Sequence, residues 1–286
     1  MYAVVNKEEE QHSLQNDINN LVHWSDKWLL KFNKSKCKHV HLGHATNTKY
    51  KMGENEINQA TEEKDLGILI DDKLKFQQHI DQQTKKANQR LRMIKRSFSY
   101  MDKEMFLTLF KIIVSPYLEY GSNVWSVIYK KEAIQIENVQ RRATKLVKTN
   151  IHLSYTERLK YIGLPSLQYR RLRADMVETF KILNNIDKVQ HEHIFPKSRT
   201  ETRGHNQKIY KKNCRTNIRK YSFSQRIMDM WNSLPKQVIE TKTVNTFKSQ
   251  LNNHWKNLEI KFSPDVYRPE EGTNLSRRVQ GANYPI

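Results

Sequence analysis

FNKSKCKHVHLG, Phe32–Gly43, is where the chain changes its period. Before it, Leu14, Ile18, Leu21, Val22, Trp28 and Leu29 recur at helical spacing, which predicts one amphipathic helix over about residues 8–30. Within it, Val40 and Leu42 alternate with His39 and His41, the period-two pattern of a half-buried strand. Beyond it, Tyr50–Ile57 carries Gly53, Glu54 and Asn55 between apolar flanks, the pattern of a hairpin. Leu66–Ile70 reads as a further short strand, and from about Phe76 onward the apolar residues return to helical spacing. The predicted class is α+β, mainly α: a small antiparallel sheet with one helix near the N-terminus, then a long helical region.

Composition agrees with that reading. Eight glycines and seven prolines in 286 residues fall well below the average usage of about one residue in eight, so long uninterrupted elements are expected. Fifty Lys and Arg against thirty Asp and Glu give a formal charge of +20. An excess of that size attracts polyanions and predicts salt-dependent binding to nucleic acid. Two cysteines, Cys37 and Cys214, make no disulfide framework and fit a reducing compartment. No apolar run reaches the roughly 18–20 residues that span a bilayer, so the expectation is a soluble intracellular chain with no membrane partner.

The helical region divides at its caps. KKANQRLRMIKR (Lys85–Arg96) places six basic residues and no acid on one helix, with Leu91, Ile94 and Phe98 as its apolar side. Asp102 is placed to cap the next helix, whose Met105, Phe106, Leu109, Phe110, Ile113 and Val114 form a buried stripe that Pro116 and Gly121 interrupt. A helix over about 131–148 turns Ile134, Val139, Leu146 and Val147 inward and leaves Arg141, Arg142, Lys145 and Lys148 outward. Ser154-Tyr-Thr-Glu157 is a capping box whose helix Gly163 closes, and Ser166 caps the one after it. Residues 185–221 are polar and weakly periodic, and read as a long basic loop or linker. Helices over 224–234 and 244–259 come next, with a disordered tail over 262–286.

Few residues carry a signature of chemistry. No Gly-rich phosphate loop or GxSxG elbow occurs. Cys37, His39 and His41 share one strand face, with His44 close by, but CxHxH lacks the paired-loop spacing of structural zinc sites. No metal site is assigned. Asp71-Asp72 is the one adjacent carboxylate pair of Asp residues, and at the end of a strand its two side chains point apart.

In order along the chain, FNKSKCKHVHLG, EKDLGILID (Glu63–Asp71), KKANQRLRMIKR, SPYLEYGSNVW (Ser115–Trp125), IENVQRRATKLV (Ile136–Val147), LSYTERLKYIGLPSLQYRRLRADM (Leu153–Met176), TRGH (Thr202–His205), FSQRIMDMWNSLP (Phe223–Pro235) and VNTFKSQLNNHW (Val244–Trp255) form a set of phrases. With WSDKW (Trp24–Trp28), they resemble the reverse transcriptases of non-LTR, LINE-type, jockey-like retrotransposons. The resemblance covers about residues 8–258 and corresponds to the part of such a polymerase downstream of its Tyr-Ala-Asp-Asp motif, which does not occur in this sequence. It implies a palm remnant over 1–75, a helical thumb and connection over 76–184, a basic loop over 185–221 and C-terminal helices over 222–261.

The same resemblance assigns roles. Lys36 corresponds to a lysine near the incoming triphosphate, an accessory to catalysis, and Leu66, Gly67 and Ile68 fall in the primer-grip region. Lys85, Lys86, Arg90, Arg92, Lys95 and Arg96, with Arg141, Arg142 and Lys145, lie where a thumb would hold an RNA template or an RNA–DNA hybrid by its phosphates. The family is an RNA-directed DNA polymerase that uses Mg²⁺, a nucleotidyltransferase. Without the carboxylates that hold the metal pair, this chain is expected to keep the nucleic-acid-binding elements and to be inactive alone, or to act as a non-catalytic RNA- or DNA-binding protein of that descent.

Overall fold

The computed structural model describes residues 1–5, 7–43, 48–125, 127–150, 152–198, 204–256 and 260–264. The chain forms two compact units, Met1–Lys75 and Phe76–Ile286.

The first unit is built on α1 (Glu8–Lys27), whose first turn holds Glu8, Glu9 and Glu10, where acids favour the positive end of a helix. Strands β1 (Lys38–Val40), β2 (Tyr50–Met52) and β3 (Asn55–Ala60) form one sheet in the order β1-β3-β2. The β2–β3 pair is the expected hairpin, antiparallel with Met52 opposite Asn55, while β1 runs parallel to β3. The sheet is thus mixed rather than wholly antiparallel, because β1 enters from α1 and not through a tight turn. Ile18, Tyr50, Met52 and Ile57 make its core, with Leu14, Val22, Phe32 and Cys37 packed around them.

A separate hairpin joins β4 (Glu62–Asp65) to β5 (Ile68–Asp71), with Asp65 opposite Ile68. Leu66 and Gly67 are therefore a two-residue turn, not part of a strand, with φ of 45° and 89°. Positive φ at both positions suits the turn geometry that strand twist demands, and Leu66 is left 82% exposed. Strand β4, Glu-Glu-Lys-Asp, has no apolar residue to betray it in the sequence.

In the second unit α2 (Gln77–Ser97) packs against α5 (Lys130–Ala143) and α4 (Ser115–Glu119). Ile80, Ala87, Leu91 and Ile94 form the buried stripe of α2. Asp102 caps α3 (Lys103–Leu109) by accepting the Met105 N–H at 2.8 Å, as expected. Pro116 does not break the helix. A π-helical turn over Phe110–Val114 runs directly into α4, and the wider turn accommodates the missing proline N–H. In α5 the inward residues are Ile136, Val139 and Ala143, whereas Ile134 is 48% exposed. Ile134 lies off the Ile136–Val139–Ala143 stripe, so it turns to solvent. The next two predicted caps are both present: Ser154 on α6 (Tyr155–Ile162), closed by Gly163 at φ 76°, and Ser166 on α7 (Leu167–Leu183).

The stretch 185–221 is more than a loop. Phe195, Ile209 and His205 are buried, and a bridge pairs Lys197 with Ile209. Asn232 clamps Ile209 through two bonds, and the Trp231 indole donates to Gln207 O at 2.8 Å. Isolated apolar residues without periodicity gave no sign of this attachment. The segment ends in α8 (Asn217–Tyr221), after which come α9 (Phe223–Arg226), α10 (Met228–Asn232), α11 (Lys236–Ile239) and α12 (Val244–Lys256). These close a core of Met176, Phe180, Ile227, Trp231, Phe247, Leu251 and Trp255. Of the tail expected to be disordered over 262–286, residues 262–264 are described and Ser263 N–H donates to Ile260 O, while 265–286 lie outside the described residues, as do His44, Thr202, Arg203 and Leu258.

A charged cluster lies within the second unit. Arg226 makes a two-pronged bond to Asp175, both at 2.8 Å, and donates to Ser122 O at 3.0 Å. Arg171 lies 3.8 Å over the Trp125 ring and donates to Leu118 O and Trp125 O. Burial, with the Arg226 charge beside it, pulls the Arg171 guanidinium down to about 9. Burial pushes the Asp175 carboxyl up, and Arg226 opposes that shift.

Candidate nucleic-acid interface

On α2, Asn88, Leu91, Arg92 and Lys95 recur three and four residues apart and so share one face. That face meets the end of α5. Asp81 accepts from Gln135 at 2.7 Å, and two turns further along both helices Asn88 accepts from Arg142 at 3.1 Å. The two helices consequently run in the same direction, and their C-terminal ends lie together. After Ala143 the chain tightens into successive 3₁₀ turns, Thr144–Leu146 and Lys148–Asn150. Arg142 in the last turn of α5 is thus followed by Lys145 and Lys148, one in each 3₁₀ turn.

The result is a groove of about 880 Å³ lined by Asn88, Leu91, Arg92, Lys95, Phe98, Ser99, Met101, Arg142, Lys145, Leu146 and Lys148. Five of these residues are Lys or Arg and none is acidic. A shallower depression of about 450 Å³ beside it is lined by Gln89, Arg92, Met93, Arg96 and Ser97, so Arg92 belongs to both. Cations at a helix C-terminus offset its dipole, worth about 0.3–1 kcal/mol each. One or two per helix would serve that purpose, and the convergence here exceeds it. The exposed side chains instead present a stripe of positive charge of the kind that phosphates neutralise.

The structure sorts the residues predicted from sequence. Arg92, Lys95, Arg142 and Lys145 come together in the groove, and Arg96 lies next to it. Arg90 is turned away, donating to the Tyr117 hydroxyl at 3.3 Å with its guanidinium over that ring. Arg141 stacks over Tyr155, 4.9 Å from the ring centre. Lys85 and Lys86 do not line the groove. Sequence reasoning missed Lys148, Asn88 and Phe98 as site residues. The i, i+3, i+6 spacing of Arg142, Lys145 and Lys148 was the signal available for the first.

In the first unit, Lys36 is exposed at the end of a 3₁₀ turn, Lys34–Lys36. Leu66 and Gly67 form the tip of the β4–β5 hairpin, and Ile68, 6% exposed, anchors it. Asp71 is not paired with Asp72 for a metal. Its carboxylate accepts the N–H groups of Lys73 and Lys75, both at 3.1 Å, and so shapes the turn after β5. His39 Nδ1 lies 3.2 Å from Ile57 O, and the Cys37 thiol donates to Asn33 O. Among the described residues, no three His, Cys, Asp or Glu side chains converge on a metal position. No helix among them is long and apolar enough to cross a membrane.

Part of this chain is similar to a transposon polymerase. Over 146 residues, 49% of the chain, it is 25% identical to a probable RNA-directed DNA polymerase from transposon BS of Drosophila melanogaster. It is also 29% identical over 111 residues, 38% of the chain, to an uncharacterized protein of Caenorhabditis elegans. The matched stretches span 56% of the nematode protein and 16% of the fly protein. No family model matches the chain, and no solved structure matches it.

Proposed function

We propose that this chain is a reverse-transcriptase-derived segment of a non-LTR retrotransposon that grips nucleic acid. Its basic groove holds the phosphodiester backbone of an RNA template or of an RNA–DNA hybrid. The observation that carries this reading is the convergence of Arg92, Lys95, Arg142, Lys145 and Lys148 from two sequence segments onto one acid-free groove. The similarity to a transposon RNA-directed DNA polymerase supports the same assignment. Contacts of this type set position and carry no sequence information. The role proposed for these residues is holding the strand. Asp71 is committed to a turn, and Lys36, a cation suited to a departing pyrophosphate, stands exposed at the end of a 3₁₀ turn.

The test is binding as a function of salt. With Z phosphates neutralised, the log–log slope is about −0.9Z on a duplex, so each lost contact flattens it by about one unit. Charge reversal at Lys95, Arg142 and Lys145 should flatten the slope by about three units. Reversal at Lys85 and Lys86, which lie off the groove, should flatten it less. If the two sets behave alike, the groove is not the contact.

A further inference from the structure

A surface that only grips phosphates needs cations and nothing else, yet the lining of this groove is partly apolar. Leu91 and Met101, 8% and 4% exposed, belong to it, with Leu146 half-buried beside them. Phe98 lines the same groove and remains 38% exposed, a large aromatic ring open to solvent among five cationic side chains. Such a ring gains nothing by facing water. It gains by stacking on a flat apolar surface that arrives with negative charge on both sides.

A duplex does not offer that surface. Its bases are stacked inside, and a protein meets phosphates, sugars and groove edges. A single strand does, because each base has a free face and each is flanked by phosphates. The volume also suits it: about 880 Å³ lies within the roughly 300–1,000 Å³ of pockets that enclose a small organic ligand, enough for a base with its sugar. Placement reinforces the match. Phe98 comes directly after α2, its N–H bonded to Ile94 O at 3.2 Å, so the ring is held one turn beyond Lys95. Arg142 is held by Asn88, and Lys145 and Lys148 line the same groove.

We propose that this groove binds single-stranded RNA or DNA, with one unstacked base lying on Phe98 over the apolar lining and the flanking phosphates on Arg92, Lys95, Arg142 and Lys145. The inference rests on the nucleic-acid reading and narrows it from a backbone grip to a single-strand site.

Fluorescence anisotropy with the full chain tests it, using labelled oligonucleotides of about ten nucleotides, a length one such site covers. Three probes are compared at fixed salt: a single strand, the same strand with abasic positions, and an RNA–DNA hybrid. Stacking of one base is worth about 1–3 kcal/mol, so Phe98→Ala should weaken the single strand by about tenfold or more. The abasic strand and the hybrid should change by less than about twofold, and Phe98→Trp should restore the single-strand affinity, since every base stacks on an indole. The Lys95→Glu/Lys145→Glu variant should weaken all three probes. An equal loss on all three with Phe98→Ala, or no loss on the single strand, overturns the stacking site while the backbone grip stands. If the wild-type chain binds no probe, the grip itself is refuted and the inference with it.

Discussion

In Met1–Lys75 the core is Ile18, Tyr50, Met52 and Ile57, each still 6% to 8% exposed. In the second unit Ile80, Val114, Val139, Met176, Phe180, Ile227, Trp231 and Phe247 are all fully buried. The contrast arises from size and from the kind of element. A three-stranded sheet with strands as short as three residues covers one face of one helix, so its apolar residues stay near the surface. Helices packed on several sides enclose whole side chains and can even accommodate charge, provided it is paired. The second unit places Arg226, Asp175 and Arg171 inside, whereas among the described residues of the first unit none of the buried side chains is charged. The same rigid packing of α2 on α5 aligns the groove cations, whereas Lys36 and the Leu66–Gly67 tip stand on exposed turns.

The largest effect is expected where that charge is buried. Arg226→Leu leaves the Asp175 carboxylate without its two 2.8 Å bonds, and breaking a buried pair this way costs about 3–5 kcal/mol. Urea denaturation should show the midpoint fall sharply, and Arg226→Leu with Asp175→Leu should recover part of the loss. A single variant that unfolds like wild type would mean that the second unit does not depend on this pair. The next largest effect compares like with like. Ile227→Ala, at a site with no exposure, should cost about 4 kcal/mol, and Ile18→Ala, at 8%, about 2 kcal/mol, because the looser site collapses more readily. Equal costs, read from denaturation monitored in each unit, would break the contrast in packing.

Legibility in the sequence respected the same division. Capping is local chemistry, so Asp102, Ser154, Gly163 and Ser166 were placed correctly from a few residues each. Helical stripes with aromatic residues, such as Phe106–Phe110–Val114, were equally plain. What was lost depends on pairing that the residues' own pattern does not announce. β4 is Glu-Glu-Lys-Asp, a strand only because β5 pairs with it, and the bridge of Lys197 to Ile209 gains its place only from Trp231 and Asn232. The groove was half legible. Charge marked Arg92, Lys95, Arg142 and Lys145, but only the parallel alignment of α2 and α5 separates them from Arg90 and Arg141, whose guanidinium groups lie over tyrosine rings.

The smallest effect concerns how the tethered segment responds to acid. His205 is 3% exposed, its Nε2 lies 3.1 Å from Trp231 O, and among the described residues its Nδ1 has no partner. With Nε2 as the donor, a proton added to Nδ1 would place charge in a buried position with no acceptor. Burial therefore holds the imidazole below its ordinary value of 6.5, with Lys208 adding to the shift and the Trp231 carbonyl and Glu240 opposing it. In the unfolded chain the ring takes up its proton near pH 6.5, while the folded chain resists until lower pH. Between those two values the unfolded state holds more protons, so stability falls as pH drops through that window and levels off below it. The melting temperature should decline on acidification from about pH 7.5 to about pH 5.5. His205→Gln should start lower, having a weaker fit, but decline less steeply. His254, also held down by burial on α12, provides the control. If His205→Gln falls in parallel with wild type while His254→Gln is flat, the acid sensitivity belongs to α12 and not to the segment that Trp231 holds in place.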